Sequence, residues 1–310
     1  MTGSAGFVGR HVVAEMKRRG WDVAGVDLER THGFVAWHGD ARRVFAGEYY
    51  PDERFDLVVH CAFHVGGRAA IDGQPRLLAR NLELDASMFD WAVRTGQKRV
   101  LYFSSSTAYP VHYQSGPCPP GMCLCGDYVK GHEGMRVLTE DLVDLDDVEQ
   151  PDGRYGWAKL NGEQLARAAA ESGLPVHVVR TFSGYGADQS LDYPFPSFID
   201  RARRREDPFP IWGPGTQVRD WIHIDDVIAG ALAVVDADYR EPVNLCTGIG
   251  TSMLELAQLC SAVARYEPVF APRPGAPTGV AYRVGDPTLF HRFYKPQVTL
   301  AEGVERAFVA

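Results

Sequence analysis

The chain has 310 residues, 45% of them apolar and 23% charged, and a formal net charge of -8. This length suffices for a sizeable buried core, and the acidic balance argues against a surface for nucleic acids or anionic membranes. We expect a cytoplasmic protein, because no run of 18 apolar residues suggests a membrane span and the start, MTGSAGFVGR, does not resemble a signal peptide.

Short apolar runs alternate with helical patterns over the first part of the chain. A glycine-rich start leads into a predicted helix over 7–19, and WDVAGVDL is a predicted strand that ends at Asp27. RFDLVVHCAF is a second buried strand, a long helix is predicted over 77–95, and KRVLYFSSS (98–106) is an apolar strand that runs into hydroxyl residues. This alternation is typical of βαβ units, so we predict an α/β fold with a doubly wound parallel sheet of Rossmann type.

Residues 110–150 interrupt this order with Pro, Gly, Cys and many acidic residues, and we interpret them as an insertion with short elements only. A helix returns over 155–172, and LPVHVVRTFSGYG (174–186) is a strand followed by a glycine turn. Later residues are richer in Pro, Arg and aromatic side chains. The predicted larger domain comprises 1–185 with 221–250, and the predicted smaller domain comprises 186–220 with 251–310.

Six cysteines are too few for a disulfide scaffold in a chain of this length. Cys61 and Cys246 lie in apolar runs and are interpreted as small core residues. Cys118, Cys123 and Cys125 cluster in a Pro/Gly-rich stretch, but their spacing is not the C-x2-C pair of zinc sites and a fourth ligand is not evident. We expect a reduced loop there and no metal.

The segment Gly3-Ser-Ala-Gly6-Phe7-Val8-Gly9 has the glycine spacing that lets backbone amides approach a pyrophosphate at a helix N-terminus. Such a loop also occurs by chance as a plain turn. Asp27 ends the following strand, where a carboxylate can accept the ribose hydroxyls of adenosine and would repel a 2′-phosphate. The pair of features therefore favours NAD over NADP.

The glycine loop begins directly behind Met1, although a strand of ~5–6 residues normally precedes it. In the usual strand order this first strand is central, so its absence predicts two neighbours with unpaired backbone and an open seam. We expect either that the natural chain starts further upstream or that the fold is compromised. The coherence of the remaining sequence favours the first explanation.

Two further motifs carry hydroxyl chemistry. Tyr155-Gly-Trp-Ala-Lys159 places a phenol and an ammonium on one helix face, where the lysine is expected to lower the pKa of the tyrosine and suit it to proton transfer. Ser104-Ser105-Ser106-Thr107 ends an apolar strand, at the edge where ligands bind in parallel sheets. Taken singly, the first motif could be a surface pair and the second a helix cap.

In combination, these motifs resemble the extended short-chain dehydrogenase/reductases that act as NAD-dependent sugar-nucleotide epimerases and dehydratases. The matching stretches are TGSAGFVG, VVHCA, YFSSSTAYP, YGWAK, RTFSGYG and GTQVRDWIHIDDV, spread over the whole chain apart from 110–150. The resemblance implies a nucleotide-sugar substrate held mainly by the smaller domain, NAD bound by the larger domain, and a homodimer.

The resemblance also implies residue roles. Tyr155 would be the general base, Lys159 would tune it and hold the nicotinamide ribose, and Ser105 would hydrogen-bond the reacting hydroxyl. The cofactor would contact Gly3, Gly6, Phe7, Val8, Gly9, Asp27, Asp40 (at the adenine), Ala62, Asn81 (facing the catalytic centre) and Lys159. The substrate would contact Ser106, Thr107, Arg219 and Arg273, with Arg283 as a third arginine; a guanidinium fork matches a diphosphate, although each arginine could be a solvated surface charge.

Departures from the family pattern narrow the predicted chemistry. Ser183 stands where Asn is common, and no acidic residue adjoins Ser105 as in 4,6-dehydratases and decarboxylases; elimination needs an acid to protonate the leaving hydroxyl. Thr107 stands where C3/C5 epimerase-reductases carry a catalytic Cys. Reversible oxidation with C4 epimerisation through a 4-keto sugar is therefore predicted. A keto-sugar reductase, a sugar dehydrogenase and a non-catalytic nucleotide-binding protein stay open as alternatives.

Overall fold

The structure is a computed structural model, and it describes residues 1–29, 37–49, 53–67, 73–114 and 136–309. The helices in this part of the chain are α1 (Phe7–Arg18), α2 (Ala41–Phe45), α3 (Arg76–Arg94), α4 (Gly153–Glu171), α5 (Pro194–Arg203), α6 (Ile224–Asp236), α7 (Met253–Val263) and α8 (Leu300–Val309). The strands are β1 (Val26–Asp27), β2 (Trp37–His38), β3 (Val58–His60), β4 (Val100–Ser105), β5 (Val176–Thr181), β6 (Ser183–Tyr185), β7 (Phe209–Trp212), β8 (Val218–His223), β9 (Val243–Leu245), β10 (Gly250–Ser252), β11 (Phe270–Arg273) and β12 (Tyr282–Arg283).

A four-stranded parallel sheet lies at the centre of the first part of the fold. Its strands follow the order β3-β4-β5-β9, and β1 and β2 form a further parallel pair at one side. Residues of β4 alternate between two hydrophobic clusters: Val100 and Tyr102 belong to one, Leu101 and Phe103 to the other. Both faces of the sheet are therefore buried, as expected for parallel strands covered by helices on both sides. The predicted α/β fold with a doubly wound parallel sheet is confirmed.

Thr2 occupies the position between β1 and β3. It forms parallel bridges to Val26 on one side and to His60 on the other, and its backbone N–H donates to the carbonyl of Val59 at 3.0 Å. The predicted open seam is therefore wrong at the carboxyl edge of the sheet, because one residue with extended backbone pairs with both neighbours there. This edge is where ligands bind in such sheets.

The predicted strand WDVAGVDL is wrong over most of its length. Residues 21–25 form no regular strand, and β1 contains Val26 and Asp27 only. Two backbone hydrogen bonds join this segment to the first residue of the chain. The carbonyl of Ala24 accepts from the amino group of Met1 at 2.7 Å, and the N–H of Val26 donates to the carbonyl of Met1. An apolar run indicates burial, but a strand also needs a neighbour with which to pair.

The other predicted elements differ from the observed ones mainly at their ends. The helices predicted over 7–19, 77–95 and 155–172 are α1, α3 and α4, whereas the strand predicted in RFDLVVHCAF shortens to β3. Within the region interpreted as an insertion, the structure describes short 3-10 turns at Val111–Gln114 and Glu140–Leu142. Cys118, Cys123 and Cys125 lie outside the described residues. No described helix is both long and apolar enough to cross a membrane.

A second set of strands surrounds β8. This strand pairs with β6 and β12 in parallel and with β10 antiparallel, while β7 pairs with β11. Helices α5, α7 and α8 pack around an apolar cluster that includes Phe209 and Leu256. Asp220 of β8 fastens this region to the loop after β9, because its buried carboxylate accepts hydrogen bonds from the backbone N–H groups of Thr247, Gly248 and Gly285.

A buried ion pair joins α4 to β5. The guanidinium of Arg180 donates to both carboxylate oxygens of Glu163, with Nη2 2.7 Å from Oε2, and also to the carbonyl of Glu140 and the hydroxyl of Tyr109. Both charged side chains are about 1% exposed. Each of these guanidinium N–H groups donates to an oxygen atom. These hydrogen bonds offset the cost of removing the two charges from water, and they connect β5 to α4 and to the segment near Glu140.

Replacing Arg180 by Ala should therefore destabilise the fold. The change leaves the Glu163 carboxylate buried and uncompensated, for which we expect a loss of about 3–5 kcal/mol in the free energy of unfolding. Chemical denaturation measures this loss. Arg240→Ala is the matched control, since Arg240 forms an exposed pair with Asp238 and its removal should leave the unfolding midpoint unchanged. Equal midpoints for the two variants would contradict the importance of the buried pair.

Candidate functional site

A cavity with a volume of about 620 Å³ lies at the carboxyl edge of the parallel sheet. This is within the range of sites for cofactors and small molecules. The sequence-predicted residues that line it are Gly3, Gly6, Phe7, Val8, Gly9, Asp27, Asp40, Ala62, Ser105, Tyr155 and Lys159. The structure therefore brings the glycine loop, the acidic strand end and the three residues predicted to be catalytic into one space.

The glycine loop owes its shape to close backbone approaches. Gly3 has φ +66°, and a Cβ there would lie 2.5 Å from the backbone nitrogen of Ala62. A Cβ on Gly9 would overlap the carbonyl oxygen of Gly3, so α1 can begin close to the loop only with glycine at this position. A Cβ on Gly6 would meet only that same carbonyl, at 3.3 Å. The loop thus fits a pyrophosphate at the N-terminus of α1, as the spacing predicts.

Two carboxylates mark the other end of the cavity. Asp27 accepts the backbone N–H of Ala5 at 2.9 Å, which ties the strand end to the glycine loop, and the N–H of Glu29 at 3.0 Å. Asp40 caps α2 and pairs with Arg42, whose guanidinium holds the pKa of that carboxyl below its usual range. Both carboxylates are therefore held in place before any ligand arrives, at the positions expected for ribose and adenine.

Tyr155 and Lys159 project from the first turns of α4 towards the end of β4. The hydroxyl of Tyr155 hydrogen-bonds the side chain of Ser105, and its ring meets the ring of Phe63 edge to face at 5.5 Å. The Nζ of Lys159 donates to the backbone carbonyl of Phe103 at 2.7 Å and lies 3.5 Å from the ring centre of Phe63. The three predicted catalytic residues thus form one contact group, in which Tyr155 contacts Ser105 directly and Lys159 through the shared ring of Phe63.

The predicted direction of the pKa shift of Tyr155 is wrong. The sequence predicts a lowered value from Lys159, but burial raises the pKa of the phenol well above its usual range, with a hydrogen bond from Ser105 as the opposing influence. The Lys159 ammonium bonds the Phe103 carbonyl instead, and lies 5.9 Å from the Tyr155 ring centre. Spacing along a helix predicts which residues are neighbours, whereas the sign of the shift depends on how much water both have lost.

The pKa of Lys159 shifts in the opposite direction, downwards. Burial lowers the pKa of its ammonium to about 8, while the negative charges of Asp85 and Glu163, and the charge that Cys61 would carry when ionised, oppose this effect. At neutral pH the ammonium therefore keeps its proton, but only by a small margin. A buried cation at the cavity wall is suited to hold an oxygen ligand and to favour a phenolate nearby.

Besides the three arginines, three of the predicted residues do not line the cavity. Ser106 is buried in the 3-10 turn after β4, and Thr107 follows it with a buried hydroxyl that has no partner among the described residues. Asn81 uses its side-chain amide on the backbone of His64, accepting its N–H at 2.8 Å and donating to its carbonyl. Asn81 thus supports the cavity wall through His64, and the roles expected for Ser106 and Thr107 stay predictions.

The three predicted arginines lie in the second set of strands. Arg219 on β8 and Arg283 on β12 are register partners, and both are mostly buried. Arg219 donates to the carbonyls of Val218 and Thr278, and Arg283 pairs with Asp152 at 2.7 Å. Arg273 lies on β11, in register with Trp212 on β7. Arg219 and Arg283 therefore lie side by side on neighbouring strands, whereas Arg273 lies on a separate pair of strands.

Several lining residues escaped the sequence analysis. Phe63 and Tyr193 line the cavity beside Tyr155, and the negative charge that Tyr193 would carry when ionised contributes to the raised pKa of Tyr155. Phe63 could have been noticed as a large residue directly after Ala62. Tyr193 comes from the start of α5, so only the folded chain brings it here.

Two contacts bridge the cavity between its walls. Arg10 at the start of α1 pairs with Asp188 at 2.7 Å, and His11 contacts the same carboxylate at 3.0 Å. Gly67 approaches the chain so closely that a Cβ there would overlap the carbonyl oxygen of Asp192. The segment around Asp188 and Asp192 is thereby held against both the glycine loop and the loop after β3. Elsewhere, no group of three or more His, Cys, Asp or Glu side chains within the described ranges is placed to hold a metal ion.

Comparison with known proteins agrees with this geometry. The sequence profile of the NAD dependent epimerase/dehydratase family matches residues 1–246. GDP-mannose 3,5-epimerase 1 of Oryza sativa subsp. indica is 25% identical over 318 residues, which cover 98% of this chain and 79% of that protein. dTDP-4-dehydro-6-deoxy-D-allose reductase of Streptomyces bikiniensis is 27% identical over 317 residues, covering 93% and 87%.

Solved structures resemble the chain over nearly its full length. The UDP-glucose 4-epimerase of Thermotoga maritima, solved with UDP-glucose, has a TM-score of 0.79 and 25% identity, covering 99% of this chain and 96% of that one. MoeE5 in complex with UDP-glucose and NAD has a TM-score of 0.78 and 26% identity, with the same coverage. The chain therefore shares its fold with these two proteins over nearly its full length.

Replacing Asp27 should weaken NAD binding. The carboxylate is the expected acceptor for the ribose hydroxyls, and loss of such charge-assisted bonds predicts about 10–100-fold weaker binding for Asp27→Ala. Removing the negative charge should also raise the affinity for NADP relative to NAD. Titration calorimetry with both dinucleotides measures the two effects, and Asp22→Ala, an exposed carboxylate on the same segment, is the control. An unchanged preference between the dinucleotides would contradict the role of Asp27.

Replacing Lys159 by Met should stabilise the protein at neutral pH. The pKa of about 8 lies below the usual 10.5, so the unfolded chain binds the proton more tightly and the buried charge costs stability below pH 8. We expect a gain of about 1–3 kcal/mol at pH 7 that shrinks as the pH rises towards 10.5, where both states become neutral. Denaturant unfolding at pH 7 and pH 10 measures this difference. A variant that is less stable at pH 7 and more stable at pH 10 would contradict it.

Proposed function

Because the chain belongs to the NAD dependent epimerase/dehydratase family, we propose that it is a nucleotide-sugar epimerase that inverts C4 through a transient 4-keto sugar. The observation that carries this proposal is the contact group of Ser105, Tyr155 and Lys159 in the same cavity as the glycine loop. These residues can move a hydroxyl proton, while the adjoining segment up to Tyr109 has no carboxyl group to assist elimination.

The cofactor is NAD, as the description of the family states and as the glycine loop and Asp27 predict. The fit to this chain rests on the open side of Gly6, on the preformed position of Asp27 and on the free volume beside Lys159. When bound, NAD takes up a hydride from the sugar and can return it. The residues that would hold it are Gly3, Gly6, Phe7, Val8, Gly9, Asp27, Asp40, Ala62 and Lys159.

The chain's own part in the chemistry is proton transfer. Tyr155 would take the proton of the C4 hydroxyl and later return one to the C4 oxygen, while Ser105 holds that oxygen by a hydrogen bond. Burial opposes ionisation of Tyr155, and the hydrogen bond from Ser105 is the influence that favours its phenolate. The ring of Phe63 lies against both Tyr155 and Lys159.

The chain has neither an acidic residue nor a cysteine next to Ser105. This favours inversion at C4 over dehydration and over inversion at C3 and C5. Ser106 and Thr107 are neutral hydroxyl residues that cannot serve as the acid of a dehydratase, and Thr107 replaces the thiol that C3/C5 inversion uses in relatives. The relative from Thermotoga maritima is named a UDP-glucose 4-epimerase and was solved with UDP-glucose. Its likeness to this chain supports a sugar bound through a nucleoside diphosphate.

We assign the diphosphate to the arginines of the second strand set. Arg219 and Arg283 emerge from neighbouring strands in register, so their guanidinium groups start from the same face. Arg283 also contacts Asp152, the residue that caps α4 just before Tyr155, which links the arginine pair to the catalytic helix. Arg273 would contact the substrate from β11.

The family resemblance also leads us to propose a cytoplasmic homodimer. Helices α3 and α4 pack side by side on one face of the sheet, and Trp157 on α4 is 38% exposed although it is large and apolar. A second copy that packs against these helices would cover this side chain, since exposed aromatic residues are favoured at interfaces.

The first test is an epimerase assay on nucleotide sugars. Purified protein is incubated without added dinucleotide with UDP-, GDP- and dTDP-sugars, and C4 epimers are resolved by chromatography. We expect interconversion of one C4 pair with no net formation of NADH. Stoichiometric consumption of added NADH or NADPH with a keto sugar would instead establish a reductase and overturn the epimerase proposal.

Tyr155→Phe should lower kcat of this reaction by about 10²–10⁴-fold, because it removes the proton-transfer group. Tyr239→Phe is the matched control, since Tyr239 packs on Phe293 outside the cavity and should leave kcat unchanged. NAD binding should be the same in both variants. Retention of full activity by Tyr155→Phe would contradict its assignment as the general base.

A further inference from the structure

A buried polar cluster lies beside helix α4, at the sheet side of Lys159. It consists of Asp85 on α3, His60 on β3, Tyr102 on β4 and Thr2, each 3% exposed or less. Neither the glycine loop nor the three catalytic hydroxyl and amino groups explains its presence. A charged side chain that is fully buried usually has a partner or a function, because removal of a carboxylate from water is costly.

The hydrogen bonds of the cluster converge on Asp85. Tyr102 donates its hydroxyl to Asp85 Oδ2 at 2.6 Å, and His60 Nε2 lies 3.1 Å from Oδ1. His60 Nδ1 lies 2.8 Å from the hydroxyl of Thr2, which also accepts the backbone N–H of Ala62 at 3.3 Å. All donors find acceptors if Thr2 donates to Nδ1 and a neutral His60 donates to Asp85. In this arrangement both oxygens of the carboxyl group accept hydrogen bonds.

Helix α4 approaches this carboxylate directly. A Cβ on Gly162 would overlap the hydroxyl of Tyr102 and lie 2.7 Å from Asp85 Oδ2. Gly162 is three residues after Lys159, so the two positions are neighbours on the helix surface. Lys159 Nζ in turn lies 5.0 Å from the ring centre of Tyr102. Lys159 and Asp85 therefore contact the same side chain, the ammonium at the face of the Tyr102 ring and the carboxylate at the Tyr102 hydroxyl.

The other groups around Lys159 cannot supply the same charge. Glu163 on the same helix is matched by the guanidinium of Arg180 at 2.7 Å. Burial raises the pKa of the Cys61 thiol to about 12, which keeps it neutral, and it also raises the pKa values of Tyr155 and Tyr102. Asp85, by contrast, is paired with neither an arginine nor a lysine in the ranges that the structure describes.

We infer that Asp85 is a positioning residue of the catalytic site, whose buried carboxylate keeps the Lys159 ammonium protonated while Tyr102 and His60 fix the carboxylate in place. Removing water from around Lys159 favours its neutral form, whereas a nearby negative charge that no arginine or lysine balances favours its charged form. Of the charges that raise the pKa of Lys159, that of Asp85 has the largest effect. The inference relies on the proposed function only for its effect on catalysis.

Direct titration of Lys159 tests this inference without substrate or cofactor. The chain has five lysines, so protein labelled with ¹³C at lysine Cε gives few signals, and Lys159→Arg identifies the one that belongs to Lys159. We expect a midpoint near pH 8 in the unaltered protein. Asp85→Asn, which keeps the shape but removes the charge, should lower the midpoint by about one pH unit.

Asp226→Asn is the matched control. Asp226 is also buried and accepts hydrogen bonds from Tyr294, Gln297 and Val298, so its loss disturbs the fold comparably but not at Lys159. Asp85→Thr serves as a second neutral variant if Asp85→Asn does not fold. A Lys159 midpoint that is unchanged in the Asp85 variant, or lowered equally by Asp226→Asn, would overturn the inference.

A second readout is the pH dependence of NAD binding. If the charged ammonium holds the cofactor, the alkaline loss of affinity should move down by the same amount in Asp85→Asn as the lysine midpoint does. If the Lys159 midpoint moves but the pH dependence of NAD binding does not, Asp85 still controls the protonation of Lys159. That result would overturn the assignment of Lys159 to cofactor binding. The two failures are therefore distinguishable from each other and from failure of the epimerase assay.

Discussion

Helix α4 lies closer to strand β4 than a helix bearing larger side chains could. A Cβ on Gly156 would overlap the carbonyl oxygen of Thr107, and a Cβ on Gly162 would overlap the hydroxyl of Tyr102. Tyr155 directly precedes the first of these glycines and Lys159 lies between the two, so the same helix brings both side chains to the end of β4, where they contact Ser105 and the Phe103 carbonyl. The geometry of the catalytic group depends on this approach, because a shift of 1 Å would part the hydroxyl groups.

The close approach also concentrates charge inside the protein. Lys159, Glu163, Arg180 and Asp85 are all buried within or against the α4–β4 contact. The Glu163–Arg180 pair is internally matched and serves as structure. Lys159 and Asp85 instead contact the same side chain, Tyr102, and on our inference this pairing serves the protonation of the ammonium more than the stability of the fold. The two pairs show how neighbouring turns of one helix can serve stability and chemistry separately.

Much of this could be predicted from the sequence. The glycine spacing, Asp27 and the YxxxK motif identified residues that the structure brings into one cavity, because local motifs determine local geometry. What failed depends on neighbours that are distant in the chain. The WDVAGVDL strand lacks partners over most of its length, and the pKa of Tyr155 rises because α4 is buried against the sheet. Asp85 carries no motif and is recognised only by the side chains around it.

The bridges across the cavity have a kinetic consequence. Arg10 and His11 hold Asp188, and Gly67 lies against Asp192, so the segment between them spans the cavity from both sides. If a dinucleotide binds beneath this segment, its entry and exit would require these contacts to part, and its residence time would depend on them as well as on the site. For an enzyme of the kind proposed above, which would return each hydride it removes, slow exchange would be no disadvantage. Its turnover would then be insulated from the cellular ratio of oxidised to reduced dinucleotide.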